Sequence, residues 1–131
     1  MKNKLLKIVA LIMVIGLFSS CSKDYFEGPL FYPDDFGVDI VDAYPAGPNS
    51  IKIDFAVSNL SNLDYYQGQD GNYYLEFSIA SNNGSLFYNE IPIGTLYAGE
   101  YFRGSMIIQI DPRMTFNLNN ITYDIYDADR Y

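Results

Sequence analysis

Few residues in this chain of 131 could carry catalytic chemistry. There is no histidine, and Cys21 is the only cysteine. The lack of histidine excludes Ser-His-Asp and Cys-His catalysis and histidine-based zinc sites. Sixteen acidic residues remain, and a pair of carboxylates could act as in a glycoside hydrolase. The small β-sheet domain inferred below has little room for a deep cleft, so we expect a protein that is not an enzyme and uses no cofactor.

The thiol of Cys21 has a distinctive sequence context. Lys2, Lys4 and Lys7 precede an apolar run at residues 8–18, and two serines separate that run from the cysteine. This layout is typical of a secretory signal peptide, because the run is shorter than the roughly 20 residues that a membrane-spanning helix needs. An ordinary secreted protein with a chance free thiol and an uncleaved membrane anchor are the alternatives.

The segment Phe18-Ser19-Ser20-Cys21 resembles the lipobox of bacterial lipoproteins. The resemblance implies that the thiol of Cys21 receives a diacylglycerol, that the signal peptide at residues 1–20 is removed, and that the new amino group is acylated, for example with palmitate. Residues 22–24, with Glu27, are similar to the signal that displays lipoproteins on the surface of Gram-negative bacteria, and they also fit an ordinary solvated linker. The expected location is the outer membrane, with the surface and periplasmic faces both open.

The mature chain is strongly acidic. Three of the eight basic residues lie in the leader, which leaves five against sixteen acidic residues. Such a surface repels phosphate backbones and anionic headgroups, so we expect no nucleic-acid partner and a membrane contact that depends on the lipid. Gly28, Pro29 and Pro33 interrupt regular structure, which indicates a tether at residues 21–36 before a domain at residues 37–131.

Beyond the tether the hydrophobic pattern has a period of two. Ile51, Ile53, Phe55 and Val57 alternate with polar residues, which predicts a strand with one buried face. In the same way Tyr73 is expected to point inward and Tyr74 outward, and near the C-terminus Tyr123 inward and Tyr126 outward. The predicted strands are residues 38–43, 51–58, 72–80, 85–90, 93–97, 105–110 and 121–126.

Turn residues separate these segments. Asn83-Gly84 supplies the positive φ angles of a type I′ hairpin, and Pro112 ends the strand before it because proline cannot donate to a sheet ladder. About seven short strands with such spacing predict an all-β fold, an antiparallel sandwich of the Ig-like type.

Three segments, IKIDFAVSNLSN, YYLEFSIASNNG and IPIGTLYAGEYFRGSMIIQI, resemble bacterial Ig-like domains of the cell-adhesion-related (CARDB-like) kind. In those domains a strand ends in an asparagine before a loop, and a segment like IGTLYAGE at residues 93–100 leads into a late core strand. The resemblance covers about residues 38–126 and implies an Ig-like sandwich. It carries over no catalytic or binding residue.

Tyrosine is the residue type that best suggests binding, with thirteen copies in the chain. Tyr65 and Tyr66 lie in the Gly/Asn/Asp-rich loop 58–72, and Tyr74 and Tyr126 are expected on outward strand faces. Exposed tyrosines offer rigid contact area to a sugar or a protein, and they could equally pack over sheet edges. We therefore predict a non-catalytic interaction module that binds an envelope protein or glycan, with a structural or assembly subunit of a surface complex or fimbria-like structure as the alternative.

Two acidic groups could in principle bind calcium through carboxylate oxygens. One is Asp124, Asp127 and Asp129, and the other is Asp34 and Asp35. Neither fits an EF-hand loop, so we interpret both as solvated loop acids and predict no metal site.

Overall fold

The computed structural model describes residues 30–130, which form two antiparallel sheets of three strands each. The strands are β1 (Phe36–Gly47), β2 (Ser50–Asn59), β3 (Tyr73–Ala80), β4 (Leu86–Pro92), β5 (Tyr101–Gln109) and β6 (Thr122–Asp127). Their order is β1-β2-β5 in the first sheet and β4-β3-β6 in the second. Three single-turn 3-10 helices lie at Pro33–Asp35, Leu118–Asn120 and Ala128–Arg130. The all-β sandwich predicted from the alternation is confirmed.

The core lies between the two central strands, β2 and β3. Every second side chain of each points inward, and these residues are buried: Ile51, Ile53, Phe55, Val57, Tyr73, Leu75, Phe77 and Ile79. Met106 and Ile108 of β5 and Ile125 of β6 complete the apolar layer. The inward and outward faces of β2 and β3 are those predicted, because a period of two leaves only one way to bury this set.

The structure has six strands where about seven were predicted, because residues 93–97 do not form one. This segment carries the chain from β4 in the second sheet to β5 in the first. Ile93 and Leu96 are buried, and Leu96 makes an isolated bridge to Tyr65, with N–O distances of 2.9 and 3.0 Å. The alternation at residues 93–97 therefore belongs to a segment that crosses between the two sheets and fills the end of the sandwich with its buried side chains.

The β3–β4 hairpin turns at Gly84 as predicted but with a different loop. Gly84 has φ +88°, its N–H donates to Ser81 O, and the N–H of Ser81 donates to Ser85 O. These bonds enclose three residues, which is the pattern of a type I turn followed by a left-handed glycine and not of a two-residue type I′ turn.

The sandwich has two ends with different contents. The proximal end, where the chain enters the domain, holds residues 30–35, the loops 60–72 and 93–100, and residues 128–130. The distal end holds the loops 48–49, 81–85 and 110–121. Phe31 is fully buried at the proximal end, so the packed domain begins before the predicted boundary at residue 37.

Asn59, the last residue of β2, organises the proximal loops. It is 1% exposed, and its Nδ2 donates to Leu63 O at 2.8 Å and Leu96 O at 2.9 Å. Its Oδ1 accepts bonds from the N–H and the hydroxyl of Ser61 at 2.9 and 2.8 Å. One buried amide thus joins both loops, and all of its hydrogen-bonding positions are used.

Candidate functional site

The four tyrosines predicted to bind a ligand occupy three different environments. Tyr65 is in the core, Tyr66 lies in an exposed loop, and Tyr74 and Tyr126 meet on the outer face of the second sheet. The structure therefore brings together only Tyr74 and Tyr126.

The prediction that Tyr65 is an exposed loop residue is wrong, since its side chain is fully buried. Its ring contacts Phe31, Phe36 and Tyr73, with centroids 5.2, 5.1 and 5.7 Å away. Its hydroxyl donates to Gly71 O at 3.0 Å and accepts from the N–H of Tyr73 at 3.3 Å. The loop folds back over the sandwich and inserts this ring into the core, and burial raises the pKa of the phenol.

Tyr73 ties the start of the domain to the same cluster. Its hydroxyl donates to the carbonyl oxygen of Phe31, and burial raises its pKa to about 12. Arg130 lies over the ring of Tyr32 at 5.8 Å. The incoming chain and the C-terminal turn are therefore both attached at the proximal end.

Tyr66 forms an exposed pair with Tyr97. The two side chains are 40% and 49% exposed, and their rings meet edge to face at 6.1 Å. The N–H of Tyr66 donates to Asp70 Oδ2 at 2.8 Å, and partial burial, with Asp64 nearby, raises the pKa of Tyr66. Sequence reasoning placed Tyr97 in a strand, so this pairing was missed.

Tyr74 and Tyr126 lie opposite each other on β3 and β6 and point outward as predicted. Their rings stack with centroids 5.7 Å apart and planes 16° apart. The hydroxyl of Tyr126 donates to Glu90 Oε2 at 2.5 Å, and this bond raises the pKa of Tyr126 to about 12. Three strands thus contribute to one preorganised group, which we call the tyrosine pair.

Carboxylates surround the tyrosine pair. Glu76 of β3 has Glu90 of β4 directly opposite on one side and Asp124 of β6 on the other. Like charges that face each other across strands destabilise a sheet, and β3, β4 and β6 contain no lysine or arginine. The outer face of the second sheet is therefore aromatic and acidic, whereas Lys52 and Arg103 lie on the first sheet.

Two of the acids considered as calcium ligands, Asp127 and Asp35, have protein partners. Asp127 is buried and pairs with Arg130 Nε at 3.0 Å, and it accepts from the N–H groups of Asn72 and Asp129. Asp35 accepts from the N–H of Tyr32 at 2.8 Å. Within residues 30–130, no group of three or more His, Cys, Asp or Glu side chains could hold a metal ion.

The β1 and β6 edges of the two sheets are unpaired. Between them runs a groove of about 320 Å³ whose lining includes Phe36, Leu60, Tyr123 and Ile125. Tyr123 lies on the inner face opposite Phe77, as predicted, but it is 49% exposed. Because β6 is an edge strand, neighbouring strands cover this ring only in part.

Cys21 lies outside the described residues, as do the signal peptide and most of the tether. The helices found within residues 30–130 are all too short or too polar to cross a membrane. The described domain is an all-β sandwich, and the outer face of its second sheet is aromatic and acidic. The chain matches no family model, no curated protein and no solved structure.

Proposed function

We propose that this protein is a lipoprotein of the outer membrane of a Gram-negative bacterium, attached through Cys21, and that its sandwich is a non-catalytic module that binds an envelope protein or glycan. The tyrosine pair is the observation that carries the binding role. The sequence before Cys21 supports the attachment, because a small pair followed by cysteine after a short apolar leader is the pattern that lipidation requires.

The tyrosine pair suits recognition for a physical reason. Tyr74 and Tyr126 stand on adjacent strands, and Glu90 fixes the hydroxyl of Tyr126. These side chains are already held in one conformation, so a ligand that packs against the rings loses little free energy in ordering them. More of the contact energy therefore appears as affinity.

The carboxylates near the pair define the ligand chemistry. Glu76 and Asp124 face outward without a basic residue on any of the three strands. Carboxylates accept hydrogen bonds from sugar hydroxyls and from lysine or arginine side chains. A protein surface with basic residues therefore complements this face best. A neutral glycan is the other ligand that could donate hydrogen bonds to these carboxylates.

The binding role can be tested with the variant Tyr74→Ala/Tyr126→Ala. Tyr101→Ala is the matched control, because Tyr101 is 60% exposed on the first sheet. We expect the double variant to lose capture of a partner from native envelopes, or binding on a glycan array, while the control keeps it. Unchanged capture by the double variant, or a hydrolase turnover that survives purification, would contradict the proposal.

The lipid attachment has its own test. Cys21→Ser is expected to abolish incorporation of labelled palmitate and retention in the membrane fraction, whereas Ser22→Ala, beside it, keeps both. A Cys21→Ser protein that is still membrane-bound would refute the anchor.

A second candidate function, an assembly subunit, is favoured by the unpaired edges. Val41 lies on the edge strand β1 and is 59% exposed, and an open edge can accept a strand from another protein. A stoichiometric envelope partner that is lost in Val41→Lys but kept in Tyr74→Ala/Tyr126→Ala would select this function over the first.

A further inference from the structure

Exposed apolar side chains are distributed unevenly between the two ends of the sandwich. Fourteen large hydrophobic residues are exposed within residues 30–130, and six of them lie in the segments of the proximal end. The loops of the distal end contribute none, within that same range. The six residues are Leu30, Tyr32, Leu60, Leu63, Tyr66 and Tyr97.

These side chains are held in place by the fold. The N–H of Leu60 donates to Asp35 O at 2.8 Å, and Leu63 O accepts from the buried amide of Asn59. Tyr66 is fixed by Asp70 and by its edge-to-face contact with Tyr97. Leu60 and Leu63 are 67% and 49% exposed. Both therefore lie on the surface of a loop that hydrogen bonds hold in place.

The chain enters the domain at this same end. Phe31 is buried, and its carbonyl oxygen accepts from the Tyr73 hydroxyl. Phe31 is ten positions after Cys21, and a chain of that length reaches at most about 35 Å when fully extended. If Cys21 carries the lipid, the proximal end is the part of the domain closest to the bilayer.

We propose that the proximal end rests on the bilayer, with Leu60, Leu63, Tyr66 and Tyr97 in contact with the lipid headgroup region. This inference depends on the proposed lipid attachment at Cys21. Tyrosine has an apolar ring and a polar hydroxyl, and it is enriched at membrane interfaces for that reason. A short tether also gives a high effective concentration, so a contact too weak to bind alone becomes populated once the lipid is inserted.

The charge of this end selects the type of lipid. Asp64 and Glu100 are exposed beside the tyrosines, so anionic headgroups are repelled and zwitterionic phospholipids are favoured. In this orientation the strands stand upright on the membrane. The tyrosine pair on the outer face of the second sheet is then directed sideways, toward neighbouring envelope components.

Tryptophan fluorescence tests the contact, because the native chain contains no tryptophan. The lipidated full-length variants Tyr66→Trp and Tyr97→Trp are reconstituted into phosphatidylcholine vesicles with and without a lipid that carries a nitroxide quencher near the headgroup. Tyr88→Trp, in the middle of β4 and 61% exposed, is the control. We expect a blue shift and strong quenching for the two loop variants and little of either for the control.

A charge variant provides the second arm of the test. Leu60→Asp/Leu63→Asp in the Tyr66→Trp background is expected to lose the blue shift and most of the quenching while the protein still floats with the vesicles. Replacing part of the phosphatidylcholine by phosphatidylglycerol should also weaken the quenching.

The outcomes separate the two proposals. Protein that does not float with the vesicles and carries no palmitate label refutes the lipid attachment, and this inference with it. Protein that floats but shows equal quenching at positions 66, 97 and 88 overturns the membrane contact alone. Quenching that is unaffected by Leu60→Asp/Leu63→Asp also overturns it.

Discussion

Replacement of Asn59 by alanine is expected to destabilise the domain more than any exposed asparagine replacement. The change removes four hydrogen bonds, two donated by Nδ2 and two accepted by Oδ1. A typical hydrogen bond contributes about 1 kcal/mol net, and a buried group left without a partner costs about 1–3 kcal/mol.

The size of the loss follows from where each partner lies. Leu96 is 5% exposed, so water cannot readily replace the lost bond to its carbonyl oxygen, which keeps only the bond from the N–H of Tyr65. The Leu63 carbonyl and the Ser61 groups lie nearer the surface and can be rehydrated. We therefore expect a loss of about 3 kcal/mol in the free energy of unfolding, well below the sum of a full penalty for all four bonds.

Urea and thermal unfolding, followed by the near-ultraviolet circular dichroism of the tyrosines, measure the loss in a Cys21→Ser background. For a domain of about 100 residues, 3 kcal/mol corresponds to a fall in Tm of roughly 15 °C. Asn62→Ala, in the same loop and exposed, is the control and should change stability by less than about 0.5 kcal/mol.

Asn59→Asp distinguishes the hydrogen-bond argument from simple loss of packing. The new carboxyl faces two carbonyl oxygens, so its pKa in the folded state is raised, and the folded state binds the proton more tightly than the unfolded state. Stability of this variant should therefore increase as the pH falls toward 4 relative to Asn59→Ala. A loss below about 1 kcal/mol for Asn59→Ala, or the same pH dependence in both variants, would refute the reasoning.

Three further predictions concern the proximal end. Tyr73 has a pKa raised from 10.0 to about 12 by burial, so its contribution to stability is complete below pH 10 and is lost as the pH rises through 12; in Tyr73→Phe, alkaline unfolding measured by circular dichroism should show a smaller decline over this range. Phe31→Ala empties a site that is 1% exposed and should cost about 3–5 kcal/mol in urea unfolding; a loss under 1 kcal/mol would show that the domain does not need this residue. Gly71 has φ +112°, and an added Cβ would lie 3.0 Å from the Tyr73 ring, so Gly71→Ala should cost about 1–3 kcal/mol; Gly94→Ala, which has open space and no positive φ, is the control, and equal stability of the two variants would contradict the backbone argument.

Part of the site on the second sheet follows from local sequence. The hairpin at residues 81–85 sets the register of β3 and β4, and this register places Glu76 opposite Glu90. The outward direction of both carboxylates follows from the alternation of each strand. The two-residue turn predicted at Asn83-Gly84 would instead have placed Ile91 opposite Glu76, so this pairing depends on the three-residue loop that the structure shows.

The pairing of Tyr74 with Tyr126 depends on a longer-range contact. The two residues are 52 positions apart, and the strands between them belong partly to the other sheet. Alternation predicts that both rings point outward, but not that β6 lies beside β3 in a register that stacks them. Only the closed sandwich determines that neighbour.

The sequence by itself determined the composition limits, the signal-peptide pattern before Cys21, the all-β class and the buried faces of β2 and β3, because these depend on residue types and on a local period of two. The tertiary structure alone decided that Tyr65 is a core residue and that Tyr66, next to it, is exposed. The loop 60–72 returns over the end of the sandwich, and Asn59 and the bridge to Leu96 fix that return. A loop has no period from which the direction of its side chains can be predicted, so contacts from distant segments settle it.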